Sequence, residues 1–242
     1  MDVLDLARFY ETSLGQMTAR LLRRRLRKIW PDLHGLNIAG IGFCVPFFRP
    51  FAEEARRSAI LMPAEQGATH WPKNRPNLTA LAETDSLPLA DNSLDRILLI
   101  HLFETEDNLR IAMREVWRVL DGGGRLLVVA PNRAGVWART IGTPFAQGKP
   151  YTTGQLEREL RDMMFVPEHS TTALFAPPLP RRWVLRLMPL IERIGTRWLS
   201  FTGGVVIIEA GKRVYAPTPV ASAPVRVLKP HRVAGSLSRN KF

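Results

Sequence analysis

The chain has 242 residues, 45 % of them hydrophobic and 23 % charged, enough apolar surface to offset the entropy of ordering and to exclude a chain disordered throughout. Lys and Arg outnumber Asp and Glu by 34 to 22, and the net charge of +12 points to an anionic partner, while the single cysteine, Cys44, excludes an internal disulfide and a cysteine-rich zinc site. No apolar run approaches the ~18 residues that span a bilayer, and the acidic start Met1-Asp2-Val3-Leu4-Asp5 is not a signal peptide, so no transmembrane segment and a soluble, cytoplasmic protein are expected.

The basicity is regional. Lys212, Arg213, Arg226, Lys229, Arg232, Arg239 and Lys241 follow Glu209 with no acid among them, and a second cluster, Arg20, Arg23, Arg24, Arg25, Arg27 and Lys28, lies near the front. From Leu4 to Ile29 the apolar residues recur every three or four positions, which predicts helix with an interruption near Gly15 and a stop at Pro31. A solvated cap helix and a nucleic-acid-binding helix are both compatible with its basic face.

Beyond it, short apolar runs alternate with helical patterns. Leu36–Ile41 reads as the first strand, Phe47–Arg57 as a helix, Ser58–Met62 as the second strand and Leu78–Ala82 as the third, with a loop and no clear helix between the last two. Leu94–Leu102 reads as a buried strand, and Asn108–Leu120 as a helix turning Ile111, Val116, Val119 and Leu120 inward. Asp121-Gly122-Gly123-Gly124 stops that helix before the strand Arg125–Ala130. Thr152 or Thr153 caps a helix through Leu156, Leu160 and Met163; a strand within Val166–Ala176, a helix at Trp183–Leu199 and a strand at Gly204–Ala210 complete the order. Alternation of this kind predicts βαβ units in a mostly parallel sheet with helices on both faces. The expected organisation is an N-terminal helical cap at 1–35, an α/β domain at 36–211 and a basic, proline-containing tail at 212–242 without periodicity.

Two stretches carry more than pattern. They are Glu83-Thr84-Asp85-Ser86-Leu87-Pro88-Leu89-Ala90-Asp91-Asn92-Ser93-Leu94-Asp95 and, further on, Arg114-Glu115-Val116-Trp117-Arg118-Val119-Leu120-Asp121-Gly122-Gly123-Gly124. Together they resemble the class I S-adenosylmethionine-dependent methyltransferases, and among these the type 11 group. The resemblance implies a Rossmann-like, mostly parallel seven-stranded sheet and methyl transfer from S-adenosylmethionine to a small-molecule acceptor. It also implies cofactor contacts from Gly40, Ile41 and Gly42 after the first strand, Met62 after the second, Glu83 and Thr84 after the third, and His101 after the fourth.

The sequence departs from that family's pattern at three places. Ile38 stands where an acid precedes the first glycine, Cys44 at the third glycine, and Met62 at the position of the ribose-binding acid, for which Glu65 is a nearby substitute. Loss of a carboxylate–diol contact removes about 1.5–3 kcal/mol of binding, so the motif is degenerate and a catalytically inert binding or regulatory module is the rival reading. A nucleic-acid methyltransferase is a third reading, opposed by Ile100-His101-Leu102-Phe103 where an Asn/Asp-Pro-Pro-aromatic motif would stand. His101 is the one candidate base, and a hydrogen-bonded strand-end histidine is its alternative. Cys44 is a reactive thiol at a helix start or a small core residue. Trp71, Trp137, Phe145 and Tyr151 wall an acceptor pocket or pack the domain edge. The basic tail is an arm for an anionic partner or is simply solvated.

Overall fold

The computed structural model describes residues 2–199 and 201–213. Seven strands form one sheet: β1 (Asn37–Gly42), β2 (Arg57–Pro63), β3 (Thr79–Ala82), β4 (Leu94–Ile100), β5 (Leu120–Pro131), β6 (Phe165–Ala173) and β7 (Val205–Lys212), in the spatial order 3-2-1-4-5-7-6. β3, β2, β1, β4 and β5 run parallel, and β7 is antiparallel to both β5 and β6. The central runs Ile97–Ile100 and Leu126–Ala130 are fully buried, as strands covered on both faces must be. This is the mostly parallel seven-stranded sheet expected from the sequence.

Six helices cover it. α1 (Val3–Glu11), α2 (Ser13–Ile29), α3 (Val45–Ala52) and α6 (Arg182–Trp198) pack on one face, where Leu6, Leu22, Phe47 and Met188 meet Ile60, Leu98 and Ile207. α4 (Leu109–Val119) and α5 (Thr153–Asp162) pack on the other, where Met113, Val116, Leu156 and Leu160 meet Ile97, Leu99 and Val128.

Local chemistry sets the boundaries, and several differ from the sequence expectation. The first helical pattern breaks at Thr12 rather than near Gly15: the Thr12 hydroxyl donates to the Phe9 carbonyl at 2.7 Å and accepts from the Gly15 N–H at 3.0 Å, ending α1 and capping α2. The helix expected at Phe47–Arg57 is α3, which starts earlier with Pro46 in its first turn and stops at Ala52, because Arg57 is already paired with Asn37 in the sheet. Ile111 is 47 % exposed and not inward, since α4 buries the stripe Ala112, Met113, Val116 and Val119 instead. The glycine run does not precede the next strand. Leu120 already pairs with Leu94, and Gly122–Gly124 lie within β5 where its register against β4 shifts. Thr152 caps α5 in a capping box with Gln155. Residues 214–242, nearly all of the expected tail, lie outside the described residues.

The two stretches that carried the resemblance are joined in space. Arg118 on α4 donates to Glu115 through two nitrogens at 2.8 and 2.7 Å, and to the carbonyls of Leu89 at 2.8 Å and Leu87 at 3.0 Å. Glu115 in turn accepts the Leu87 N–H at 2.9 Å, and Arg118 holds its carboxyl below the usual carboxylate range.

Candidate functional site

The strand order reverses between β1 and β4: from β1 the chain builds outward through β2 and β3, then returns to the other side. Loops at the carboxyl ends of two such strands diverge and leave a crevice, where ligands of open α/β sheets bind. Gly42 ends β1 opposite Ile100, and His101 follows directly. Gly42 has φ +89°, and a Cβ there would fall 2.4 Å from the Ile100 carbonyl oxygen, so the turn out of β1 requires glycine. His101 also has positive φ, +57°, without being glycine. A non-glycine residue held in that region is strained by about 1–3 kcal/mol, and such residues concentrate at functional sites.

His101 is fully buried and bonded at both ring nitrogens. Its Nε2 lies 2.7 Å from the Tyr10 hydroxyl on α1, and its Nδ1 lies 3.0 Å from Glu104 Oε1. A neutral imidazole with its proton on Nδ1 satisfies both contacts: it donates to the carboxylate and accepts from the phenol. Burial first, then the charges of Glu104 and Cys44, push Tyr10 well above its usual range, which keeps it a phenol and a donor. The His101 carbonyl accepts from Gln66 Nε2 at 2.8 Å, and Gln66 also reaches Thr105 Oγ1 at 3.1 Å. Glu104 Oε2 and Gln66 Oε1 are buried acceptors without a hydrogen-bond partner among the described residues.

α1 closes this crevice. The Val3 N–H bonds the Gln66 carbonyl at 2.8 Å, and Tyr10 stacks on Phe43 at 5.9 Å and meets Phe47 edge-on at 5.3 Å. Phe145 lies 5.1 Å from the His101 ring and 5.6 Å from Trp137, whose Nε1 donates to the Ala176 carbonyl. Trp137, Phe145 and Tyr151 are therefore buried core rather than an open pocket wall; Trp71, half-buried, packs against Phe48.

The residues expected to hold a cofactor fall into two groups. Gly40, Ile41, Gly42, Met62 and His101 lie together in the interior at the ends of β1, β2 and β4, and the side chains of Ile41, Met62 and His101 are buried. Glu83 and Thr84 lie outside, lining a notch of about 110 Å³ with Glu65, Asp85 and Asn108. A larger cavity, about 650 Å³, lies between α3 and the 71–78 segment and contains none of these residues.

The residues expected to depart from the family pattern, Ile38, Cys44 and Met62, are all buried in the core. A Cβ on Gly40 would stand 2.7 Å from Cys44 Cβ and 3.2 Å from the Phe48 ring. Cys44 turns inward, its Sγ reaching the Leu98 carbonyl at 3.3 Å, and burial pushes its thiol up to about 12. It is a core residue and not a reactive thiol. The sequence did not point to Tyr10, Gln66 or Glu104; only Glu104, three residues past His101, carried any signal.

Comparison with known proteins agrees with this architecture. Residues 54–128 match the methyltransferase domain family, type 11. The strand order is that of the class I S-adenosylmethionine-dependent methyltransferase fold, with its Rossmann-like sheet. Similar folds include a Thermotoga maritima S-adenosylmethionine-dependent methyltransferase described as a possible histamine N-methyltransferase, at 19 % identity, TM-score 0.56, covering 87 % of this chain and 95 % of that one. A Mesorhizobium loti S-adenosylmethionine-dependent methyltransferase aligns at 17 % identity, TM-score 0.55, covering 78 % and 96 %. Geranyl diphosphate C-methyltransferase of Streptomyces coelicolor A3(2), solved with Mg2+, geranyl diphosphate and S-adenosyl-L-homocysteine, aligns at 18 % identity, TM-score 0.54, covering 80 % and 77 %. No curated protein sequence matches the chain.

The crevice fits S-adenosylmethionine in part. The carboxylates of Glu65 and Glu83 lie in the notch outside it, whereas Glu104 Oε2 and Gln66 Oε1, acceptors without a partner among the described residues, suit a donor-bearing, cationic group. Against these, Met62 offers no carboxylate, and Tyr10 occupies the space beside Phe43 and His101.

Proposed function

We propose that this protein transfers a methyl group from S-adenosylmethionine to a small-molecule acceptor, and that α1 lifts to admit both. The buried Tyr10–His101–Glu104 chain at the β1/β4 switch carries this reading. A packed core has no use for such a chain, because burying its polar groups is more costly than filling the same volume with apolar side chains. Bound there, S-adenosylmethionine would supply a methyl group activated by its sulfonium.

The chain's own part is positional and protonic. Glu104 fixes the Nδ1–H of His101 and so directs Nε2 toward the crevice. In the closed state Tyr10 occupies Nε2. With α1 lifted, an O–H or N–H of the acceptor takes that place and Nε2 receives its proton. Phe43, Phe145 and Trp137 then keep the site dry, which favours transfer between aligned reactants. The folds compared above are described with an amine and with a prenyl diphosphate as acceptors, so the fold does not choose the acceptor.

The inert-module reading draws on Met62 and Tyr10, which fill the crevice with side chains. Calorimetric titration of the full chain and of Tyr10→Ala with S-adenosylmethionine and S-adenosylhomocysteine separates the two. Micromolar binding, tighter in Tyr10→Ala, is expected. Absence of binding to either protein up to millimolar ligand, with both folded by circular dichroism, leaves the inert module.

A further inference from the structure

α6 buries one side and leaves an apolar stripe on the other. Val184, Met188 and Gly195 face the core, while Trp183, Leu187, Leu190, Ile194 and Trp198 point into solvent, Trp183 59 % and Trp198 74 % exposed. At 100° per residue these five fall within an arc of roughly 80° along the whole helix. Exposed Phe201 extends the patch just beyond it.

The border of the stripe is cationic. Arg186, Arg193 and Arg197 fall on one side of it, and beyond them a groove between α6 and α2 is lined by Arg24, Lys28 and Arg193. Arg24, Lys28, Arg186, Arg193 and Arg197 form no ion pair among the described residues. The one acid of α6, Glu192, also lines that groove, where it accepts the N–H groups of Leu174 and Phe175, and it lies on the side of the helix opposite the stripe. No helix of the described chain is long and apolar enough to cross a membrane.

We infer that α6 is a docking surface for an anionic lipid bilayer, lying flat in the headgroup region with its stripe inserted and its arginines, together with those of α2, on the lipid phosphates. The observation is independent of the methyl-transfer reading. An amphipathic helix with tryptophans at both ends and arginines along its flank matches the polarity gradient of a membrane interface. Nucleic acid would take the arginines but leave five apolar side chains in water. A second copy docked antiparallel about a two-fold axis would set this arginine border against itself. The chain's own segment beyond 213 carries Arg226, Lys229, Arg232, Arg239 and Lys241 and has the same sign as the border.

The test is flotation of the full-length protein with vesicles of phosphatidylcholine alone and with one-third phosphatidylglycerol, beside the double variant Leu190→Glu/Ile194→Glu. These positions are exposed, so the variant should keep its melting temperature. The expected result is binding to the anionic vesicles only, weakened at high salt and lowered at least tenfold in the double variant. Brominated lipid should also quench tryptophan emission in the wild type, and the quenching should be lost in Trp183→Phe/Trp198→Phe. Equal binding by wild type and the double variant would place the contact in the basic segments alone and overturn the proposal. So would failure to bind anionic vesicles, with or without a dimer that the double variant disrupts.

Discussion

Two regions of the molecule use the same kind of material in opposite ways. In the clamp between α4 and the loop before β4, charged residues are tied to main-chain groups: Arg118 holds the carbonyls of Leu87 and Leu89 and the carboxylate of Glu115, which holds the Leu87 N–H. At the carboxyl edge of β1, β2 and β4, Ile41, Met62 and His101, expected from the sequence to hold a cofactor, are buried side chains, and the polar chain beneath α1 comes from segments far apart in sequence. The clamp is scaffold and would serve any ligand. The edge is where the proposed transfer would take place, and its polar groups are the ones whose burial a stable fold alone does not explain.

The sharpest way to break this contrast is to restore the family's acid. Met62→Asp places a charge at a site with no exposure, so a loss of about 3–5 kcal/mol in denaturant unfolding is expected. A loss below about 1 kcal/mol would show that solvent or a cation reaches the end of β2. Tyr10→Phe comes next. It keeps the ring packing but leaves His101 Nε2 without its donor, and a loss of about 1–3 kcal/mol is expected by the same measurement. No change would mean that α1 is already loosely held.

Arg118→Ala tests the clamp. Its side chain is 31 % exposed, so solvent screens part of each contact, and about 1–2 kcal/mol is expected. Cofactor affinity should stay unchanged, because the clamp touches none of the candidate site.

The smallest effect is on pH dependence. Burial raises the Glu192 carboxyl, with the N–H groups of Phe175 and Leu174 and the charge of Arg25 opposing the shift. The folded state therefore keeps a proton that the unfolded chain releases above the ordinary glutamate range. That contribution is fully present below the ordinary range and is lost as pH rises through the raised value. Melting temperatures of the wild type relative to Glu192→Gln should fall as pH rises from about 4.5 toward neutrality, and a difference independent of pH would show that Glu192 is solvated.

Most of the architecture was legible in the sequence because it rests on local signals. Apolar runs marked all seven strands, and Thr152 or Thr153 marked the start of α5. The errors fell where tertiary pairing overrode local pattern: α3 gave up its last residues to the β1–β2 pairing, and Gly122–Gly124 joined β5 as a register shift. Inward and outward faces were less secure, as Ile111 shows, because a short helix offers two adjacent stripes and only the sheet chooses between them.

By itself the sequence determined the sheet, the glycine turn out of β1, and the absence of a carboxylate at Met62, since each depends on residue type at a fixed place along the chain. The tertiary structure alone decided that Tyr10, some ninety residues upstream of His101, supplies its hydrogen-bond partner, and that Cys44 turns into the core. It also decided that the helix Arg182–Trp198 buries its Val184–Met188 side and leaves its tryptophans in solvent. A helix with apolar residues on both sides carries no local mark of which side will be covered. That choice belongs to the elements that pack against it.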